Sequence, residues 1–251
     1  LLGISPYGSG NPIACCLSTL AFTPFFNRDC NTIKTAKNPC PTEIQVSSPS
    51  EVSMTVAHSK SLEPVALNLS HIRFTDEQFL QLCLHNPERS LELTAEGELI
   101  IMAPVGGGSG KREIELGTDL TIWNRQTQLG EVFSSSTIFK LPLGGRRSPD
   151  VAWVERSRWE ALTPEEQEEF PPLAPDFVIE LRSRTDGLSD LQDKMVEYRE
   201  NGVRLGVLIN RQDRLVEIYR PGQAAEVLQS PTRVNCEEVL PGFILSLDNI
   251  W

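Results

Sequence analysis

Histidine is nearly missing, with three in 251 residues. His58, His71 and His85 show no ligand spacing and fall outside the regular segments, which argues against a zinc site or a histidine-based triad. Long apolar runs are missing too. No stretch approaches the ~18 residues of a membrane helix, so no membrane span is expected. Positive charge is in deficit: 23 Lys and Arg stand against 34 Asp and Glu, a net charge of −11. Such a chain does not coat a polyanion by bulk charge. Contact with one needs a local basic patch, a divalent metal, or both. Internal repeats at periods of about 20–50 residues are absent, which excludes solenoids and propellers. Gly106 to Gly110 and Lys111 suggest a phosphate loop, but Arg112 follows where Ser or Thr is required. The rest is ordinary for a globular protein, at 39% hydrophobic and 23% charged.

Methionine is absent before Met54. The residues upstream carry Cys15, Cys16, Cys30 and Cys40, four of the six cysteines. There Arg28, Lys34 and Lys37 balance Asp29, Glu43 and Glu51, so the whole net charge belongs to the remainder. No helical or alternating period runs through this segment. Adjacent cysteines in a proline-rich tract make a poor disulfide framework, and Pro24 interrupts the apolar stretch that a signal peptide would need. The expectation is that residues 1–53 are an over-extended reading frame or a disordered tail, and that the folded protein lies within 54–251. Cys83 and Cys236 then remain, which suits a reducing cytoplasm.

From Leu67 onward the patterning is regular. Thr75 to Gln78 is a capping box that opens a helix stopping before Asn86-Pro87. Leu91 and Leu93 alternate with Glu92, Glu96-Gly97 turns, and Leu99 to Met102 returns, which makes a hairpin. Gly106 to Gly110 reads as a flexible hinge, and Leu116, Leu120 and Trp123 mark an amphipathic helix over 111–128. Residues 131–143 read as one long strand, Gly144-Gly145 as a turn, and Pro149 to Val154 as the antiparallel return. Thr163 to Glu166 is a second capping box with Pro164 at its first helical position. A strand over 176–182, a helix over 188–201, a hairpin over 203–220 and short strands near 225–228 and 243–247 follow. The sum is an α+β (α/β) domain with a mixed sheet flanked by helices, its core over about 67–251.

Two segments place charge where a strand should be apolar. Asp150 directly precedes the buried-type run Val151 to Val154. In 176–182, Phe177, Ile179 and Leu181 share one face, while Asp176, Val178, Glu180 and Arg182 share the other. A mid-strand carboxylate is costly to bury unless it is paired or binds a metal. An ion pair between Glu180 and Arg182 is the plainer reading. Together, though, Asp150 and Glu180 can converge at one sheet edge and bind a hard divalent ion, Mg2+ or Mn2+. Such an ion activates a water and neutralises charge developing on a phosphodiester. A nearby cation would orient the water or stabilise the phosphate.

Pro149-Asp150 followed by Glu180-Leu181-Arg182 resembles the PD-(D/E)-x-K nuclease signature, with Arg where Lys is usual. Five segments in order, ELIIMAPVGG, SPDVAWV, PPLAPDFVIELRS, KMVEYRENG and RLVEIYRPG, are similar to the Uma-two family of restriction endonucleases. The resemblance runs from about Phe74 to Trp251. It implies a restriction-endonuclease-like core and Mg2+-dependent cleavage of DNA, with Asp150 and Glu180 as metal ligands. Arg182 could stabilise a phosphate but, being always protonated, could not act as a base. Lys194, in the next helix, looks like a migrated lysine of the motif and is the preferred cation. A solvated helix position is its alternative. The implied core also gives Glu115, on the first core helix, a claim as an extra metal ligand. Glu92 has a similar claim. Exposed positions on helix and strand are the competing readings for both.

The basic spots available to DNA are Lys111-Arg112 and Arg146-Arg147, the latter on the turn beside Asp150. Tyr198 reads as core. DNA is the expected partner, and cutting both strands would favour a homodimer. Two other classes compete. One is a catalytically inactive nuclease-fold module that binds DNA or protein. The other is a scaffold in which Asp150, Glu180 and Arg182 form a buried ion network.

Overall fold

The computed structural model describes residues 64–72 and 74–251. Residues 1–53, with their cysteines, and His58 lie outside the described residues. The elements begin with β1 (Val65–Asn68), α1 (Asp76–Leu84), β2 (Leu91–Leu93), β3 (Glu98–Ile101), α2 (Gly107–Thr127) and β4 (Gly130–Ser134). Next come β5 (Phe139–Lys140), β6 (Arg146–Arg147), β7 (Val151–Glu155), α3 (Arg156–Glu160), α4 (Pro164–Glu168) and β8 (Phe177–Leu181). The chain closes with α5 (Leu188–Glu200), β9 (Leu205–Asn210), β10 (Leu215–Tyr219), β11 (Glu226–Gln229), β12 (Arg233–Asn235) and β13 (Ile244–Ser246).

These strands make three sheets. One is antiparallel, in the order β1-β3-β2-β6-β5; another runs β11-β10-β9-β8-β7-β4; β12 and β13 pair by themselves. The second sheet is mixed. Its β8 and β9 are parallel and joined through α5, while its other neighbours are antiparallel. This is the expected α+β architecture. Among the described residues no helix is long and apolar enough to cross a membrane.

Alternation along β8 assigns its two faces. Phe177, Ile179 and Leu181 pack with Leu116, Leu120 and Trp123 of α2. Val178 packs with Leu191, Met195 and Tyr198 of α5, and Glu180 shares that face. Each such side chain stabilises the fold by roughly 1.5–3 kcal/mol on burial. A smaller core of Phe79, Leu91, Leu93 and Leu99 joins α1 to the first sheet. Both capping boxes form as read from the sequence, at Thr75 and at Thr163.

Two local expectations fail. The glycine run is not a hinge: Gly106 is the N-cap of α2, and the helix begins at Gly107. Glycine costs a helix about 1 kcal/mol relative to alanine. The buried stripe of Leu116, Leu120 and Trp123 offsets that cost from further along the helix. Nor is 131–143 one strand. The chain leaves the mixed sheet after Ser134 and joins the antiparallel sheet at Phe139. The Ser148 hydroxyl donates to the carbonyls of Ser135 and Thr137 and pins that crossing. Alternation alone cannot mark a change of sheet.

Gly130 opens β4 against Trp153. A Cβ there would lie 2.1 Å from the Val154 carbonyl oxygen and 2.5 Å from the indole. Gly130→Ala should therefore lower stability by about 1–3 kcal/mol. A urea midpoint equal to that of the parent chain would show that the backbone yields instead.

Candidate active site

Lys194 lies between Leu191 and Tyr198 on α5, one turn from each, so the helical period turns it inward with them. It is 5% exposed. Its Nζ lies 2.8 Å from Glu180 Oε1 and 2.9 Å from Glu92 Oε1, and donates to the Ser148 carbonyl at 3.2 Å. Three acceptors match the N–H donors of one ammonium. The Tyr198 hydroxyl donates to the same Glu180 Oε1 at 3.0 Å. The solvated-helix reading of Lys194 is therefore replaced by a buried ion cluster.

Glu92 reaches the cluster from the other sheet. It is 2% exposed rather than on a solvated face. Its Oε1 accepts from Lys194 and from Ser148 N at 3.0 Å, and its Oε2 accepts from Arg147 Nη1 at 3.0 Å. Arg147 Nε donates onward to Glu197 Oε2 at 2.8 Å. Charge thus alternates along Glu180, Lys194, Glu92, Arg147 and Glu197, from β8 through α5 to β2 and β6. With both oxygens engaged, Glu92 has little left for a metal.

The electrostatics follow from this alternation. Burial disfavours the Lys194 ammonium, but Glu180 and Glu92 outweigh it and raise its pKa above the ordinary lysine value. Burial likewise works against the Arg147 guanidinium, and Glu92 and Glu197 overcome it. Burial pushes the Glu92 carboxyl up, yet Lys194 and Arg147 bring it below the usual range. For Glu180 burial prevails. Its carboxyl stays raised despite Lys194, with Glu92 adding to the rise. Beside this chain lies a cleft of about 750 Å³ between the β1–β3 strands and α5. Glu96, Glu98, Asp190, Asp193 and Glu200 line it along with Glu92 and Lys194.

Asp150 heads β7 at the point where β8 ends, and its Oδ2 accepts from Leu181 N at 2.7 Å. Burial first, then Glu180, push its carboxyl well above the usual carboxylate range, and Glu113 adds to the rise. Glu113 is the residue missed in the sequence. It lies on α2, where its carboxylate accepts from the Ser135 hydroxyl. It stands one turn before Leu116, in phase with the buried stripe, so the helical period held the signal. Glu115 is out of that phase, and with burial it raises the pKa of Asp119 instead.

The remaining sequence candidates fall elsewhere. β8 ends at Leu181, so Arg182 escapes the strand's alternation. Its Nη1 donates to Asn210 at 3.2 Å and lies 3.4 Å from Asp213 Oδ2, while its Nε donates to the Asp186 carbonyl at 3.2 Å. The Glu180–Arg182 ion pair does not form, and the three-residue network with Asp150 fails with it. Arg147 is buried in the cluster. Arg146 pairs with Asp76 and donates to the Gly144 carbonyl. Lys111 is exposed, and Arg112 is half-buried against the Ile250 carbonyl.

The donor set suits a hard divalent cation. Asp150 Oδ1 and Glu180 Oε2 accept no hydrogen bond among the described residues. They belong to neighbouring carboxylates whose negative charges repel, and carboxylate oxygens are the ligands that Mg2+ and Mn2+ prefer. Among the described residues no three acidic, histidine or cysteine side chains already surround one point. Water and substrate oxygens would complete such a shell, as is usual for Mg2+.

The model of the Uma2 family, described as "Putative restriction endonuclease", matches residues 76–248. The chain belongs to the Uma2 family. Glu92, Glu113, Asp150, Glu180 and Lys194 all lie within the Uma2 match. Among solved structures, the chain is similar to a putative nuclease belonging to DUF820 from Anabaena variabilis. The two are 22% identical, with a TM-score of 0.58 over 70% of this chain and 97% of that one. That likeness supports the same mixed α+β fold for this Uma2 member. No curated protein matches the chain significantly.

Proposed function

We propose that the chain is a Mg2+-dependent endonuclease of the reducing cytoplasm that hydrolyses phosphodiester bonds in DNA. One observation carries this reading. Lys194 reaches Glu180 at 2.8 Å while Asp150 is hydrogen-bonded to the next residue of the same strand, Leu181. Three parts of one signature, distant in sequence, thereby meet. Asp150 and Glu180 would hold the metal, with Glu113 beside them, and Mn2+ would substitute for Mg2+. A bound ion would neutralise charge developing on the phosphodiester.

The chain's own groups do the rest. Glu92 fixes the Lys194 ammonium, and Arg147 fixes Glu92. Glu180 and Glu92 keep Lys194 protonated, so it serves as an orienting cation rather than a base. To touch a phosphate or a water it must release one acceptor, and the Ser148 carbonyl, at 3.2 Å, is the most distant of the three. Cutting both strands would call for a two-fold pair of copies.

The same saturation of Lys194 favours a second reading, a nuclease-fold module that binds DNA or protein without cutting. Plasmid nicking with Mg2+, with Mn2+ and with chelator separates the two. The nuclease reading expects nicking by the parent chain that chelator abolishes and that Asp150→Ala lacks. Retained DNA with no nicking in either metal would select the binding module.

A further inference from the structure

A chain of net charge −11 needs a local place to receive a polyanion. The cleft beside α5 is not that place, since its carboxylates repel a phosphate backbone. Among the described residues about half of the arginines pair with a carboxylate, Arg146, Arg147, Arg158, Arg182, Arg204 and Arg220 among them.

Two of those without such a pair share one acceptor. Arg112, in α2, and Arg211, in the turn between β9 and β10, both donate Nε to the Ile250 carbonyl, at 2.8 and 2.6 Å. Every hydrogen bond that either side chain makes among the described residues goes to a backbone carbonyl, of Ile250 or Gly108. Two guanidinium groups therefore stand side by side on one oxygen without a carboxylate bonded to either. Burial first, and then the neighbouring Arg112, lower the Arg211 pKa. Their remaining N–H groups form the planar, multidentate donor set that suits a phosphate diester. Exposed Lys111 adds charge beside them. The first turn of α2 has no acidic residue and no side-chain cap, so its N–H groups add to the positive field. Arg112 also precedes Glu113, the carboxylate that α2 brings toward Asp150.

The geometry points to Arg112 and Arg211 as a two-pronged clamp for a backbone phosphate of DNA, at the sheet edge where β8 and β9 end and distinct from the acidic cleft. This rests on the DNA-directed reading above. The clamp positions the strand and takes no part in the chemistry.

Binding of a labelled DNA duplex, followed by fluorescence anisotropy in chelator across a salt series, tests it. Each lost phosphate contact reduces the slope of log affinity against log salt by about 0.9. The double variant Arg112→Gln/Arg211→Gln should bind about 10- to 100-fold more weakly at low salt, with a slope smaller by about 1–2. Arg211→Lys keeps the charge but loses the fork, and should fall between parent and double variant. It decides the matter if the double variant does not fold. Arg125→Gln, at the exposed far end of α2, should bind like the parent. Parent-like affinity and slope in the double variant, or in Arg211→Lys if it must stand alone, would overturn the clamp. So would a loss in Arg125→Gln as large as in the double variant, or a parent chain without affinity for the duplex. Plasmid nicking separates the two readings. Clamp-dependent binding by a parent chain that never nicks removes the nuclease and leaves the clamp. Nicking by a double variant that also binds like the parent removes the clamp and leaves the nuclease.

Discussion

Lys194→Met is expected to lose about 3–5 kcal/mol of stability, because it strips the counter-charge from buried carboxylates. Glu92 and Glu180 flank the ammonium at 2.9 and 2.8 Å, and both are buried. Methionine fills the space but cannot hydrogen-bond, so two negative charges would face each other across an apolar side chain. Adding Glu180→Gln should recover part of the loss by removing one of them. Arg182→Ala makes the contrast. Its carboxylate partner is Asp213, at 3.4 Å on the exposed β9–β10 turn. Losing that pair should cost no more than about 1 kcal/mol. Urea denaturation of the three variants reads the differences directly. A Lys194→Met midpoint equal to that of Arg182→Ala would mean that the cluster does not hold the fold. Nicking by Lys194→Met has to be compared under conditions where both chains remain folded.

Asp150→Asn should move activity and stability in opposite directions. Removing a metal ligand should lower nicking by about a thousand-fold or more, the equivalent of roughly 4 kcal/mol. In metal-free buffer the same change should stabilise the protein by about 0.5–2 kcal/mol, as relieving strain at a functional site commonly does. The Asp150 carboxyl is raised well above its ordinary value, first by burial and then by Glu180. The fold therefore prefers the protonated form. That preference is fully present below the unfolded pKa of ~3.9 and is lost as pH rises through the raised folded value. Glu180, also raised, acts in the same direction. Glu92 opposes both: its pKa is lowered, so its contribution is present above the unfolded value of ~4.3 and lost as pH falls through the folded one. The asparagine amide oxygen can still accept from Leu181 N. Urea midpoints of parent and variant should therefore converge toward pH ~4 and separate toward pH ~7. A variant less stable than the parent at neutral pH would show that the charge at position 150 is not under strain.

Much of the fold is legible in the sequence because its signals are local. Each capping box declares itself within four residues, and the hairpins are marked by alternation and glycine. The placement of Glu180 is legible for the same reason, since a period of two puts it opposite Phe177, Ile179 and Leu181. Signals fade where one element must know about another. Glu92 looks like an exposed strand charge until α5 brings Lys194 over it. Arg182 shares a face with Glu180 on paper, but the strand stops one residue short of it. Glu113 and Glu115 differ in phase by two residues, and the difference becomes plain when Leu116 is known to point inward. The crossing at Ser135 to Thr137 depends on Ser148, which follows it in the chain.

Glu92 and Lys194 are separated by 102 positions along the chain, and their meeting has a consequence for how the molecule is made. Synthesis delivers Glu92 first. At about 5–20 residues per second it then waits several seconds or more for the second of its two counter-ions, Lys194, to be built. Until then β2, all three residues of which are buried in the finished protein, would carry into its own core a carboxylate matched by Arg147 alone, while Glu92 Oε1 still lacks the ammonium. Final closure of the antiparallel sheet is thus expected only after α5 has emerged. Joining ends so distant adds little to the entropic cost, which grows only with the logarithm of the separation, but it places the step late. A nascent chain holds the residues of the site long before it holds the site.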